Sequence, residues 1–209
     1  MYTRIRYLAT TPFSYKKEQA TTKFAATYPC PTPYGAKVAM IVGGIRVGLD
    51  PVKLTKQLAK TEVVAHPWGE GVVNTHLVKH WEVPRKDTGG NTIPGYYSST
   101  VAFREYLYFD GGVDLYVSTS MFEPLRPVFP GVNCFGKQGS FFSLLGVDEQ
   151  QRLPTGIAFS GSDLRKNATW KAVSNFGGTT SKPRVATEFK VAMQVAGGGT
   201  NYLHLKFSE

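Results

Sequence analysis

Three closely spaced prolines constrain this chain more than any other feature. The stretch TYPCPTPYGAKVAMIVGGI runs from Thr27 to Ile45 and interleaves Pro29, Pro31 and Pro33 with Tyr28, Cys30 and Thr32. Each proline fixes its own φ and pushes the residue before it into an extended conformation. The segment is therefore a stiff lead-in that aims whatever follows. Past Pro33 the residues turn small and apolar, and helical spacing sets Val38, Ile41, Val42 and Ile45 on one face. This predicts a helix with that face inward and with the peptides of Tyr34 and Gly35 free at its N-terminus. Such a terminus favours anions, phosphate among them, and Lys37 lies one turn in. A proline-rich turn that merely caps a core helix is the other reading of the same residues.

The chain has 209 residues, 42% of them hydrophobic, which is enough for one substantial core in a single domain spanning 1–209. Its net charge of +9 makes nucleic acid the leading partner class and an anionic membrane surface the second. No apolar run is long enough to span a bilayer, and MYTRIRYLATTPF has no hydrophobic signal core, so no membrane is expected. Aromatic residues make up 13%, and rings beside Lys or Arg suit single-stranded nucleic acid, although most of the phenylalanines are expected in the core. Cys30 and Cys134 form no CxxC, and reduced thiols in a cytoplasm are the expectation. No metal and no cofactor are expected. His76 and His80 share a face in HLVKH, but at strand rise they stand about 13 Å apart. Neither a Walker motif nor a nucleophile elbow occurs.

The order of elements reads as α+β, with helices early and strands late. TRIRYLA alternates, with Ile5 and Tyr7 on one face and Arg4 and Arg6 on the other. A basic loop with Lys16, Lys17 and Lys23 follows. LDPVKLTKQLAK is a second helix, with Asp50 as N-cap, Pro51 at the first helical position, and Lys53, Lys56 and Lys60 on one face, which either tracks a phosphate backbone or is simply solvated. From Val63 the chain turns to strand, and the arms on either side of Arg85–Ser99 form a long hairpin around 66–104 with Arg85 and Lys86 at its tip. DGG at Asp110–Gly112 reads as a tight hairpin turn. MFEPLRPVFPGVN, with three prolines, reads as no regular helix. FGKQGS places Gly136 and Gly139 so that backbone amides can turn toward an anion. Lys137 adds charge there, and Gln138 and Ser140 can reach a base edge or ribose; an ordinary interstrand loop is the competing reading. TGIAFSG, ATWKAVSNF, RVATEFKVAMQV and NYLHLKF read as further strands.

TYPCPTPYGAK leading into a helix, REYLYF at Arg104–Phe109, and FGKQGSFF before a strand together resemble the CRISPR-associated Cas five family of the RAMP superfamily. The resemblance spans most of the chain, and its sharpest motif is the proline segment. It implies a ferredoxin-like, RRM-related antiparallel sheet with a β-hairpin thumb and a β-rich C-terminal part. It also implies a non-catalytic, cytoplasmic subunit that binds the five-prime handle of CRISPR RNA at the foot of a type I Cascade complex. Partners implied are the Cas seven backbone subunit and a large subunit of Cas eight type, with target DNA nearby. On this reading Lys16, Lys17, Lys23, Tyr34, Lys37, Lys137, Gln138 and Ser140 hold RNA, and Arg85 and Lys86 wedge beside the guide. Tyr96, Tyr97 and Trp81 are candidate protein contacts. One family branch is a metal-independent endoribonuclease that uses a tyrosine, a lysine and a histidine. Tyr34 and Lys37 can stand in the first two positions, but no histidine is placed by motif. A basic structural protein without sequence preference is the third reading.

Overall fold

The computed structural model describes residues 1–17, 24–82, 98–153, 167–179, 182–199 and 202–207. Lys23, Arg85, Lys86, Tyr96, Tyr97 and TGIAFSG lie outside these residues, and the side chain of Trp81 is likewise outside the description. Among the described residues eight strands form one sheet: β1 (Tyr2–Ala9), β2 (Phe24–Ala25), β3 (Val63–Glu82), β4 (Ser98–Ser118), β5 (Phe142–Gln151), β6 (Asn167–Thr179), β7 (Lys182–Gly198) and β8 (Tyr202–Phe207). Helices α1 (Pro33–Arg46) and α2 (Pro51–Lys60) lie between β2 and β3 in sequence, and α3 (Thr119–Leu125) with a 3-10 turn (Arg126–Gly131) lies between β4 and β5.

Strand β1, the α1–α2 pair, the β3–β4 hairpin, α3 and β5 follow a β-α-β-β-α-β order. Their strands pair as β5-β1-β4-β3, each neighbour antiparallel. That is the ferredoxin-like arrangement, and the fold is α+β. β8, β7 and β6 extend the sheet beyond β3. Alternation in β1 buries Ile5 and Tyr7 against the helices, as their spacing predicts. Met40, Leu58, Leu115, Leu125 and Phe129 fill the same core, and Tyr7 Oη donates to the Phe129 carbonyl at 2.9 Å. On the other face Arg6 donates twice to buried Asp114 at 3.0 Å, and Arg4 donates to Asp148 at 2.6 and 3.0 Å. Burial raises the Asp114 carboxyl's pKa, and the Arg6 hydrogen bonds pull it back.

Three local expectations change. The apolar ridge of α1 does not face inward: Val42 is 40% and Ile45 52% exposed, whereas Ala36, Ala39, Met40, Gly43 and Gly44 are buried. Small residues let the helix approach its neighbours closely. A Cβ on Gly43 would stand 2.9 Å from the Val132 backbone nitrogen, and Gly44 lies under Leu54. The DGG run makes no turn; it lies inside β4, where Gly111 pairs with Gly69. Both have positive φ (141° and 81°), and a side chain on Gly112 would strike the Tyr7 carbonyl of β1. Glycine here serves close backbone approach within one long hairpin. Finally, SMFEPL does form a short helix, since Pro124 sits in its last turn and the chain only then tightens into the 3-10 turn at Pro127 and Pro130.

α2 starts as its residues predict. Asp50 accepts from the amides of Val52 (2.8 Å) and Lys53 (3.3 Å), Leu54 and Leu58 are buried, and Lys53, Lys56 and Lys60 are exposed. β3 and β4 pair from Val63↔Val117 out to Glu82↔Ser98. Among the described residues no helix is long and apolar enough to cross a membrane.

Candidate nucleic-acid interface

The glycine loop at 135–140 is stapled to the segment after β1. The Lys137 amide donates to Ser14 O (2.9 Å), and the Ser140 amide closes the turn on Lys137 O (3.0 Å). Thr11 Oγ1 donates to Gly139 O at 2.7 Å. Gly136 and Gly139 hold φ of 77° and 97°, which only glycine adopts without strain. The amides of Lys137 and Ser140 are thus engaged within the protein instead of facing an anion. Ser140 is buried as well: its Oγ accepts from the Ser14 amide (3.2 Å) and donates to Pro12 O (3.3 Å). The hydroxyl expected to meet a base or ribose is instead the clasp that fixes the loop. What the loop presents outward is the side chains of Lys137 and Gln138.

Lys137 reaches the hairpin. Its Nζ donates to Tyr106 Oη at 3.0 Å and lies 5.5 Å from the centre of the Tyr106 ring. The His76 ring stands edge-on to Tyr106 at 5.5 Å, and His76 Nε2 shares a 3.0 Å hydrogen bond with Tyr108 Oη. Register explains the grouping. Opposite pairs His76↔Arg104, Asn74↔Tyr106 and Val72↔Tyr108 share one face of the hairpin arm, and Leu107 and Phe109 point the other way. Between arm and loop lies a groove of about 530 Å³, walled by His76, Lys79, Tyr106, Tyr108, Lys137 and Gln138 among others. It combines the Lys137 ammonium, edge-on and tilted rings and the Gln138 amide.

The other anticipated residues distribute as follows. Lys16 is exposed, in a bridge with Thr27. Lys17 lies on the opposite face of the arm, in a cleft of about 290 Å³ with Thr75, Glu105 and Tyr202; burial lowers its pKa and Glu105 partly restores it. It does not join Lys137. Lys37 points into the body of the fold, 3% exposed, its pKa lowered by burial with Glu62 opposing. The α1 terminus is closed: Thr32 Oγ1 accepts from the Gly35 amide (3.2 Å) and is itself bonded to Tyr15 Oη (3.1 Å), whose ring covers Gly35. The open anion site expected there is absent. Tyr34 lines a separate cleft between α1 and the glycine loop. Cys30 and Cys134 are free thiols.

Sequence reasoning on sites missed Tyr106, Tyr108, His76 and Lys79. The signal for the tyrosines was present, since REYLYF alternates strictly, with Tyr106 and Tyr108 on the face opposite Leu107 and Phe109.

No protein-family model matches this sequence, and no curated protein matches it. A crystal structure of a CRISPR protein from Archaeoglobus fulgidus aligns over 100% of this chain and 92% of its own, with a TM-score of 0.46 and 9% identity.

Proposed function

We propose that this protein is a non-catalytic, RNA-binding subunit of a type I CRISPR surveillance complex that holds the five-prime handle of CRISPR RNA. One observation carries the reading: the groove in which Lys137, Tyr106, Tyr108 and His76 converge between the glycine loop and the hairpin arm. Single-stranded RNA needs this combination, because bases stack on rings while phosphates meet cations. The ferredoxin-like sheet, the net charge of +9 and the sequence resemblance support the same reading. The handle lies along the groove with a phosphate at Lys137. Sister subunits of the Cas seven and Cas eight types pack on the remaining surface in the cytoplasm, with target DNA beyond the hairpin tip.

Fluorescence anisotropy with a repeat-derived handle RNA tests this. Lys137→Glu should weaken binding about tenfold or more and reduce the slope of log affinity against log salt by about one phosphate contact. A scrambled RNA should displace the handle poorly. Equal displacement by any RNA would favour the third reading, a basic protein without sequence preference.

A second reading, metal-independent cleavage of precursor CRISPR RNA, is favoured by one contact. His76 Nε2 is bonded to Tyr108 Oη, with the Lys137 ammonium on the adjoining ring. In such a reaction His76 takes the 2′-hydroxyl proton and the 2′-oxygen attacks the neighbouring phosphorus. Lys137 neutralises the charge that builds on the phosphate, and the 5′-oxygen leaves with a proton from Tyr108. Site-specific cleavage of repeat RNA in EDTA, lost in His76→Ala, would replace the non-catalytic reading with this one.

A further inference from the structure

The glycine loop is a partition. Gln138 lines the 530 Å³ groove on the hairpin side and also a cleft of about 370 Å³ on the α1 side. The two cavities differ in chemistry. The first carries the Lys137 ammonium among Tyr106, Tyr108 and His76. The second is walled by Tyr34, Val38 and Val42, and the cation at its rim, Arg46, already donates to Gly131 O at 3.1 Å and to Asn133 Oδ1. An apolar, ring-lined cleft whose cation is engaged suits a base better than a phosphate, and its volume lies within the range of small-molecule sites, about 300–1,000 Å³. The divider is rigid, because the Ser140 clasp and the Lys137 amide tie the loop to residues 12–14. Gln138 itself is exposed and hydrogen-bonds to no described residue, which leaves an amide donor and acceptor for a base edge. The outward apolar ridge of α1 thereby gains a reason: Val42, 40% exposed, is a wall of this cleft.

We infer that a single strand crosses the loop at Gln138 and is splayed there. One nucleotide lies in the groove with its phosphate on Lys137; the neighbouring base turns into the Tyr34–Val42 cleft, its edge read by Gln138. The inference rests on the nucleic-acid reading above and adds a base-binding subsite to it.

Two fluorescein-labelled probes separate the roles: a 12-nucleotide oligoadenylate, and a 12-unit abasic ribose-phosphate strand that keeps the charge but has no bases. Anisotropy titrations at low salt compare wild type with Tyr34→Ala, Val42→Gln and Lys137→Glu. Val42→Gln changes no charge and sits at an exposed position, so it keeps the test open if Tyr34→Ala does not fold. Loss of one stacked base should weaken oligoadenylate binding about five- to tenfold in Tyr34→Ala, with Val42→Gln weaker in the same direction. Both should bind the abasic strand as wild type does, and Lys137→Glu should weaken both probes. Unchanged oligoadenylate affinity in folded Tyr34→Ala and Val42→Gln, with Lys137→Glu still impaired, overturns the cleft as a base subsite and leaves the groove standing. If the wild-type chain binds neither probe, the nucleic-acid reading falls and takes this inference with it.

Discussion

His66 shows how one buried side chain makes this fold pH-dependent. It lies on β3 opposite Asp114, is 1% exposed, and its Nε2 has no hydrogen-bond partner among the described residues. Burial pushes the imidazole's pKa from 6.5 down to about 4. Between those two values the unfolded chain binds a proton that the folded chain refuses. Stability from this group is therefore complete above about pH 6.5 and drains away as pH falls toward 4, by about 3 kcal/mol at the bottom of the window. Asp114 acts in the opposite sense, because its raised pKa makes the folded state the better proton acceptor at low pH. Urea midpoints of wild type and His66→Leu, measured from pH 7.5 to 4, separate the two. The wild-type midpoint should fall more steeply than that of the variant. Parallel profiles would mean that His66 titrates normally inside the fold. Lys37 belongs to the same scale: its charge lies indoors, and its neighbours explain what spacing along the helix did not.

At the level of elements, the two helices contrast. α2 was legible because its determinants are local. Asp50 caps it, Pro51 starts it, and Leu54 and Leu58 make its buried stripe. α1 was located correctly from the prolines and the small apolar residues after Pro33, but its inward face was not. The hydrophobic ridge Val38–Ile45 suggested one orientation, and the glycine–alanine ridge won because it fits against Gly131 and Val132, 88 or more residues away in sequence (131 minus 43). Nothing within the helix announces that partner. The packing makes a quantitative claim. In an exposed helix, Gly43→Ala would gain about 1 kcal/mol of propensity. Here the new methyl would meet backbone atoms 2.9 and 3.0 Å away, which cannot rotate aside. Overpacking of that kind costs about 1–3 kcal/mol, so the net effect should be destabilising. Val42→Ala, on the ridge that the sequence alone puts inside, should change stability by about 0.5 kcal/mol or less. Chemical denaturation of the two variants ranks the faces, and the reverse order would restore the outward ridge to the core.

Across the whole molecule, what was readable was order, and what was unreadable was juxtaposition. The first strand, the two early helices and the two long arms follow from periodicity and proline placement, whereas the full β-α-β-β-α-β succession does not, because three prolines make the α3 segment read as no regular helix. The groove does not, because it brings together His76, Tyr106 and Lys137 from three separate segments, joined only through strand register and a loop clasped by Ser140. The DGG run misled for a related reason, since the nearness of β1 and of Gly69 decides its conformation. This architecture separates the groove from the end of the hairpin. β3 and β4 remain in antiparallel register to Glu82↔Ser98, six residues beyond His76 and three beyond Lys79 on the groove wall (82 minus 76, 82 minus 79). Replacing residues 83–97 with Asn-Gly supplies a two-residue turn suited to such a register. The shortened chain should fold with the wild-type denaturation midpoint and hold handle RNA within about twofold of wild-type affinity, because every cation and ring of the groove is retained. If the removed segment, which carries Arg85 and Lys86, works beside the guide, a complex reconstituted with sister subunits should instead lose discrimination at the guide–target boundary. Handle affinity and target discrimination would then separate in one variant. Handle binding that collapses with the excision would put the RNA site at the tip and remove it from the groove.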